Sequence, residues 1–226
     1  MGNVVAAAIA FAGTHFLLSH PLRAPLIRAI ERKGFLGLYS LVALATLIWL
    51  VLAYRAAPAA ALLWPVGDAL WAIGTILMLL AAILFMGSLV RNPALPEANT
   101  DVVPTAAGVF AITRHPMMWS LAIWGTVHIM VFPDPANIVV ALSIIVLALA
   151  GARMQDRKKE KLQPEFWREW ERRTSFWPFA AIAAKRARIG RIGGHALGGG
   201  SVVWLAATWA HIPLSGWPAG IWRWIG

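Results

Sequence analysis

The feature that most constrains the fold is a series of apolar stretches, each about 20 residues long and poor in charge. A stretch of this length crosses the hydrocarbon core of a bilayer as an α-helix. Six stretches qualify: 3–20, 35–54, 69–90, 116–132, 136–152 and a weaker one at 201–222. Prolines and a glycine interrupt the last, so five spans plus a re-entrant segment is the alternative. The sequence predicts an all-α, polytopic membrane helix bundle of about six transmembrane helices.

Composition supports a membrane protein with no disulfide. Hydrophobic residues make up 59% of the chain and charged residues 13%, whereas a soluble domain has about 45–50% and about 25%. The 13 Trp residues suit the membrane–water interface. Because Cys is absent, disulfides, thiolate haem ligation and cysteine metal sites are excluded. With no internal repeat, residues 1–226 are predicted to form one transmembrane domain.

The net charge of +10 is distributed in a way that predicts topology and does not require nucleic acid. The segment 153–200 holds 12 Lys and Arg residues against 5 Asp and Glu, and the first loop is also basic. The loops after the second and fourth spans carry only Arg55, Asp68 and Asp134. Under the positive-inside rule, the odd-numbered loops lie in the cytoplasm. We therefore expect a periplasmic N-terminus, a retained first span, and a basic cytoplasmic loop at about 153–200.

One part of this loop has the pattern of an interfacial amphipathic helix. Leu162, Phe166 and Trp170 recur at four-residue spacing, with Trp167 beside them, and charged residues occupy the other faces. Pro164 restricts such a helix to starting near that residue. The sequence predicts that this helix lies on anionic headgroups. The nearby "GGHALGGG" lacks the Gly-Lys-Ser/Thr ending of a phosphate-binding loop, so a nucleotide site is not indicated.

Two histidines lie inside predicted spans, where an ionisable side chain is a functional candidate. His15 is in the first span and His128 in the fourth. Neutral imidazole ligates metals and haem iron. The alternative is a buried neutral ring that hydrogen-bonds to a carbonyl or hydroxyl group. His20 and His211 lie near span ends and His195 in the glycine-rich segment, so these three are expected to have no special role.

The predicted topology separates these two histidines in depth. His15 falls in the cytoplasmic half of its span and His128 near the outer end, a difference of about 10 Å at about 1.5 Å per residue. Two axial nitrogens of one haem lie about 4 Å apart, given metal–nitrogen distances of about 2 Å. His15 with His115 is the rival pair, because both lie toward the cytoplasmic side.

Arg114 and His115 directly precede Pro116, a favourable first residue of a helix. One interpretation is a cationic anchor whose side chain snorkels to the interface. The other is an anion or substrate contact at the membrane surface, where a guanidinium group binds a carboxylate or phosphate in bidentate fashion.

Several motifs resemble the NnrU family of membrane proteins. The stretch "GVFAITRHPMMWSLAIWGTVHIM" is similar to the family's T-R-H-P-M step and following W…H span. The stretches "THFLLSHPLRAPL", "ERKGFLGLYSLVAL" and "RRTSFWPFAAI" resemble, in order, its first span, second span and T-S-x-x-P-F element. These matches extend over residues 9–182. The resemblance implies a multi-pass protein of the bacterial inner membrane.

The resemblance also implies chemistry. NnrU proteins were named for a role in nitrite and nitric oxide reductase regulation during denitrification. The family is similar to the 15-cis-zeta-carotene isomerases of chloroplasts, which are haem b enzymes, and their proposed ligands fall on His15 and His128. Those enzymes carry a Cys three residues before the second His, where this chain has Gly125, so exchange with a thiolate ligand is lost here. The implied function is haem b binding, with denitrification or an isomerase-like reaction on an apolar substrate.

Two other functions stay open. One is a non-enzymatic regulatory or accessory membrane protein. The other is an S-adenosylmethionine-dependent methyltransferase, because Arg-His-Pro before a span is also similar to isoprenylcysteine and phospholipid methyltransferases. There Arg114, His115 and the region of Glu160 would bind the cofactor, although "EKLQPEFWREW" resembles the acidic element of those enzymes only loosely. The expected partners are membrane lipid and an apolar small molecule; the catalytic residues and any protein partner stay unassigned.

Overall fold

The computed structural model describes residues 1–95 and 102–225, and over these ranges the chain forms helices and no strand. The all-α prediction is confirmed. The helices are α1 (Gly2–Ser19), α2 (Arg23–Arg55), α3 (Asp68–Ser88), α4 (Val109–Ile112), α5 (Pro116–Val131), α6 (Pro135–Leu162), α7 (Pro164–Arg173), α8 (Ala180–Ala183), α9 (Gly194–Ser215) and α10 (Trp222–Ile225).

The six predicted spans overlap α1, α2, α3, α5, α6 and α9, but α2 begins 12 residues before its predicted span, with a break at Ile30 and Glu31, and α9 ends at Ser215, seven residues before the predicted end. Four of these, α1, α2, α3 and α6, are long and apolar enough to cross a membrane. Helix α5 is apolar but only 16 residues long. The predicted helical membrane bundle is therefore confirmed, with four helices meeting the length and hydropathy of a span.

The long helices pack side by side in the order α2, α1, α6, α5, α3, α9. Small residues permit the close approaches. A Cβ at Gly125 of α5 would lie 2.7 Å from Cγ1 of Ile145 on α6, and one at Gly200 of α9 would lie 2.8 Å from Cα of Ile83 on α3. Helices α1 and α5 are thus separated by α6, and α5 and α9 both pack on α3.

The segment 153–200 is largely helical and not an extended loop. Helix α6 continues ten residues past the predicted end of its span, to Leu162. Helix α9 begins at Gly194 and includes the glycine run, in which Gly200 packs against the backbone of α3. The predicted span ends at residue 152 because charged residues begin there. A helix can nevertheless continue beyond the membrane and carry charged residues, as α6 does.

Helix α7 begins at Pro164, as predicted. Its apolar face is covered by protein: Trp167 and Trp170 have no exposed surface, and they pack with Phe110, Leu84 and other residues in a core cluster. The predicted amphipathic helix therefore exists, and the same three aromatic positions that suited a lipid surface serve as its contact with the bundle.

Candidate functional site

A buried polar cluster forms where the segment before α5 meets the charged end of α6. Thr113 is extended and ends α4, and Pro116 begins α5, so the residues between them leave the helical path. Arg114 is 7% exposed and His115 is 2% exposed. Buried charged side chains require partners, because desolvation of an unpaired ion costs several kcal/mol.

Asp156 of α6 supplies that partner. Its Oδ2 accepts from Arg114 Nη2 at 2.7 Å and its Oδ1 accepts from Arg114 Nε at 3.1 Å, a bidentate pair. Oδ1 also accepts from His115 Nε2 at 2.7 Å. Asp156 is 2% exposed. Charge-assisted bidentate bonds of this kind are among the strongest in proteins, so the three side chains form a closed unit.

Glu171 of α7 extends the cluster toward solvent. Its carboxylate lies 2.8 Å from Arg114 Nη2. Burial raises the pKa of Glu171; the Arg114 guanidinium lowers it, and the carboxylates of Asp156 and Glu160 raise it again, so the net pKa is above its usual value. The ion pair alone would lower this pKa, and burial together with two nearby acids outweighs it.

The two motifs that carry the family resemblance contact each other here. Thr113 Oγ1 donates to the carbonyl of Phe176 at 2.8 Å, and the backbone N–H of Arg114 donates to the carbonyl of Ser175 at 2.8 Å. The backbone N–H of Phe179 donates to the carbonyl of Ile112 at 2.7 Å. The T-R-H-P and T-S-F-W-P-F segments therefore form one unit that fixes the start of α5 against α6 and α7.

These contacts define what Arg114 and His115 can do. The Arg114 side chain is buried and does not snorkel to the surface. A bound anion would have to replace Asp156 or Glu171, so the anion or substrate contact predicted for Arg114 and His115 stays a prediction. Nε2 of His115 is held by Asp156, which leaves only Nδ1 for the rival His15–His115 pair.

His128, three residues before the end of α5, is held firmly. Its Nδ1–H donates to the carbonyl of Trp124 at 2.8 Å, and the two rings stack with centres 4.0 Å apart. The carbonyl of His128 accepts from Asn137 Nδ2 of α6 at 2.9 Å. Asp134 caps α6 by accepting from two backbone N–H groups. Because Nδ1 carries the proton that is donated to Trp124, Nε2 of His128 has a lone pair that can bind a ligand.

His211 of α9 faces His128, with ring centres 6.1 Å apart. Its Nδ1–H also donates to a carbonyl one turn back, that of Ala207, at 2.7 Å. No role is expected for His211 from the sequence, because it lies near a span end. The missing signal is that α5 and α9 both pack on α3, which no single-segment pattern contains.

His15 lies on the other side of the bundle. Its Nδ1–H donates to the carbonyl of Phe11 at 2.7 Å, and its ring contacts that of Tyr39 on α2 at 5.7 Å. In both His15 and His128, Nδ1 donates to a backbone carbonyl. This is the arrangement that the sequence offers as the alternative to metal ligation. In the described part of the chain, no cluster of three or more His, Cys, Asp or Glu side chains could hold a metal ion.

The structure does not bring His15 and His128 together. Asn137 binds the carbonyl of His128, and the preceding Ala136 packs in one cluster with Val4 of α1. His15 lies eleven residues after Val4. At about 1.5 Å per residue, the two histidines differ in depth by about 15 Å. Their joint ligation of one haem stays a prediction that this arrangement does not favour.

Gly125, one turn before His128, has a packing role. A Cβ there would lie 2.7 Å from Ile145 Cγ1 and 3.0 Å from the carbonyl oxygen of Ala141. A thiol at this position would push α5 away from α6. The glycine that replaces a candidate thiolate ligand therefore also permits the close contact between these two helices.

Comparison with known proteins places this chain. A family model described as NnrU protein matches residues 3–219. A curated relative, the chloroplastic 15-cis-zeta-carotene isomerase of Zea mays, is 32% identical over 82 residues, which are 36% of this chain and 22% of that protein. The chain thus covers about a fifth of the length of that relative. No solved structure matches. The family match covers nearly all of the chain, and the protein belongs to the NnrU family.

Proposed function

We propose that this protein is a haem-b-binding membrane protein in which His128 ligates the iron. The observation that carries the proposal is the state of its imidazole. Nδ1 donates to the Trp124 carbonyl, which fixes the ring and its tautomer and leaves the Nε2 lone pair available. Such a second-sphere hydrogen bond is the usual partner of a metal-bound histidine.

The fit of a second ligand favours His211 over His15. Two imidazoles bound to one iron have nitrogens about 4 Å apart, given bond lengths of about 2 Å, and ring centres about 6 Å apart. The ring centres of His128 and His211 are 6.1 Å apart. The depth difference of about 15 Å argues against His15 unless the helices shift. His15 remains the ligand that the family resemblance implies.

The proposed reaction is isomerase-like and acts on an apolar substrate from the lipid phase. Bound haem would supply one-electron chemistry, which can weaken a double bond of a polyene. The chain's own contribution is the orientation of the His128 ring by the Trp124 carbonyl, with the His128 backbone fixed by Asn137. The relative named as a carotene isomerase supports this class of substrate.

A second candidate is an accessory role in nitrite and nitric oxide reduction. For this role we propose a location in a bacterial inner membrane, with the N-terminus periplasmic. His128 and His211 then lie toward the periplasmic end of the bundle, because α5 and α9 both run outward from the cytoplasmic side.

An absorption spectrum tests the proposal. The protein is expressed with added haem and purified in detergent, and a Soret band typical of bis-imidazole ligation is expected. His128→Ala should abolish it, and His211→Ala should change it to a five-coordinate form. The matched control is His195→Ala, an exposed histidine on the same helix as His211, which should keep the wild-type spectrum.

Three outcomes would change the conclusion. A spectrum lost in His15→Ala and kept in His211→Ala would restore the ligand pair implied by the family. No chromophore in correctly folded protein would remove the haem proposal. Thermal stabilisation by S-adenosylmethionine that rises with its concentration would indicate a methyltransferase instead.

A further inference from the structure

A basic cavity lies at the end of the bundle opposite to His128. Its volume is about 370 Å³, and it is bounded by the last turn of α1, the start of α2 and the charged end of α6. The residues lining it include no Asp or Glu. Its polar lining consists of Ser19, His20, Arg23, Arg157, Lys158 and Lys161.

The four Lys and Arg side chains of this cavity form no ion pair within the described part of the chain, although Arg23 lies over the ring of Phe35. Other cations of the same region are engaged: Arg114 pairs with Asp156, and Lys159 donates to the carbonyls of Pro93 and Leu95. Uncompensated positive charge is therefore concentrated where three helices converge.

The pKa of His20 is affected by this positive charge. Burial lowers its pKa, and the positive charge of Lys158 lowers it further. Lys158 and Arg23 are both half-buried, so their mutual repulsion is screened less than at an open surface. An anion between them would relieve this repulsion.

The remainder of the lining is apolar and opens toward exposed aliphatic surface. Ala24, Met154 and Leu162 complete the cavity. Leu17, on the adjoining turn of α1 and toward the middle of that span, is 50% exposed. A ligand with both an anionic group and a hydrocarbon portion matches this combination better than a free inorganic ion does.

We propose that this cavity binds the phosphate group of an anionic phospholipid, with the lipid's acyl region along α1 and α6. Arg23 and Arg157 can each donate two parallel hydrogen bonds to phosphate oxygens, and the two lysines add point charges. Basic pockets between transmembrane helices on the cytoplasmic side bind such headgroups, and the predicted topology places this cavity there. The site is separate from the proposed haem site and does not depend on it.

The test is thermal unfolding of the full chain in detergent micelles, titrated with a short-chain phosphatidylglycerol. Parallel titrations use the corresponding phosphatidylcholine and inorganic phosphate. Stabilisation by phosphatidylglycerol alone is expected, with a midpoint that rises with its concentration. The double variant Arg157→Gln with Lys158→Gln should bind phosphatidylglycerol more weakly, by about fivefold for each charge removed. The reason is that each basic residue contributes about 1 kcal/mol to binding an anionic lipid.

The matched control removes two charges elsewhere on the same side of the bundle, by Arg188→Gln with Arg191→Gln, both exposed. It should bind phosphatidylglycerol as the unmodified chain does, and Lys158→Arg should also retain binding. Equal weakening in the control, or none in the cavity variant, overturns the proposal. Stabilisation by inorganic phosphate as strong as that by phosphatidylglycerol would show a site for a free anion. It would overturn the proposal that the ligand is a phospholipid.

Discussion

The two polar regions of this molecule differ in how completely their side chains are satisfied. In the cluster of Arg114, His115, Asp156 and Glu171, every charge has an internal partner, and three of the four side chains are buried. At the other end, His128 and His211 each use Nδ1 in a bond to a carbonyl of their own helix, so Nε2 of each ring does not take part in that bond. The first arrangement joins segments of the chain, whereas the second leaves a ligand-binding atom available.

This difference separates a structural role from a binding role. A closed charge network loses stability when one member is removed, because the others remain buried without compensation. A histidine whose only bond is to its own helix contributes little to stability. Ligand binding and stability should therefore respond to different substitutions at the two ends.

The largest effect is expected from Asp156→Ala. It leaves the buried side chains of Arg114 and His115 without their shared carboxylate, and the free energy of unfolding should fall by about 3–5 kcal/mol. Chemical denaturation in mixed micelles measures the loss. The control Glu165→Ala removes an exposed carboxylate from α7, and its effect should stay within about 0.5 kcal/mol. Equal losses in the two variants would contradict a structural role for the cluster.

The next effect concerns the contact that positions His128. Gly125→Ala places a Cβ 2.7 Å from Ile145 Cγ1, and overpacking of this kind costs about 1–3 kcal/mol. Gly13→Ala is the matched control, because nothing lies within 4 Å of its added Cβ. Helix propensity should make that control neutral or stabilising by up to about 1 kcal/mol. A Gly125→Ala variant as stable as the control would show that α5 and α6 can separate freely.

A smaller effect on stability is expected from His128→Ala. Only the local bond to the Trp124 carbonyl and the ring stacking are lost, so the free energy of unfolding should change by about 1 kcal/mol in haem-free protein. The comparison with Asp156→Ala sharpens the contrast between the two ends. If His128→Ala were as damaging as Asp156→Ala, the histidine would have a structural role like that of the cluster.

The smallest effect is a pH dependence from Glu171. Its pKa in the folded state is raised, first by burial, so folding favours its protonated form. The stability it contributes is present below its unfolded pKa of about 4.3 and is lost as pH rises through the folded value. Glu171→Gln should therefore flatten the decline in melting temperature as pH rises above about 4.3.

The control for this titration is Glu165→Gln, which makes the same change at an exposed position of α7. Dominance of the Arg114–Glu171 ion pair predicts the reverse, an advantage of the unmodified chain over Glu171→Gln that grows as pH rises. That result would show that the pair, and not burial, sets the pKa of Glu171.

Much of the fold follows from local sequence patterns. The apolar stretches predicted where the six long helices lie, and Pro164 marked the start of α7. The predicted helix ends were wrong where a helix continues past the first charged residues, as α6 does to Leu162. The sequence predicts a loop through the glycine run before Gly200, because glycine disfavours a helix interior, but the run is helical and Gly200 packs against the backbone of α3.

The site was predicted less completely. Arg114, His115 and His128 stood out because polar groups near a membrane are costly. Asp156, Glu171 and His211 did not, since their partners lie 42, 57 and 83 residues away in the sequence. Asp156 could have been found by a general argument, because a buried arginine requires a carboxylate and the charged end of α6 contains one.

The sequence by itself determined that this chain is a helical membrane protein of the NnrU family, because length, hydropathy and short motifs are local properties of a chain. Only the tertiary structure decided which polar groups meet. Helix order places α6 between α1 and α5, which separates His15 from His128. The packing of α5 and α9 on α3 places His211 opposite His128. Such contacts depend on how helices are arranged side by side, and that arrangement is set by small residues such as Gly125 and Gly200 at the points of closest approach.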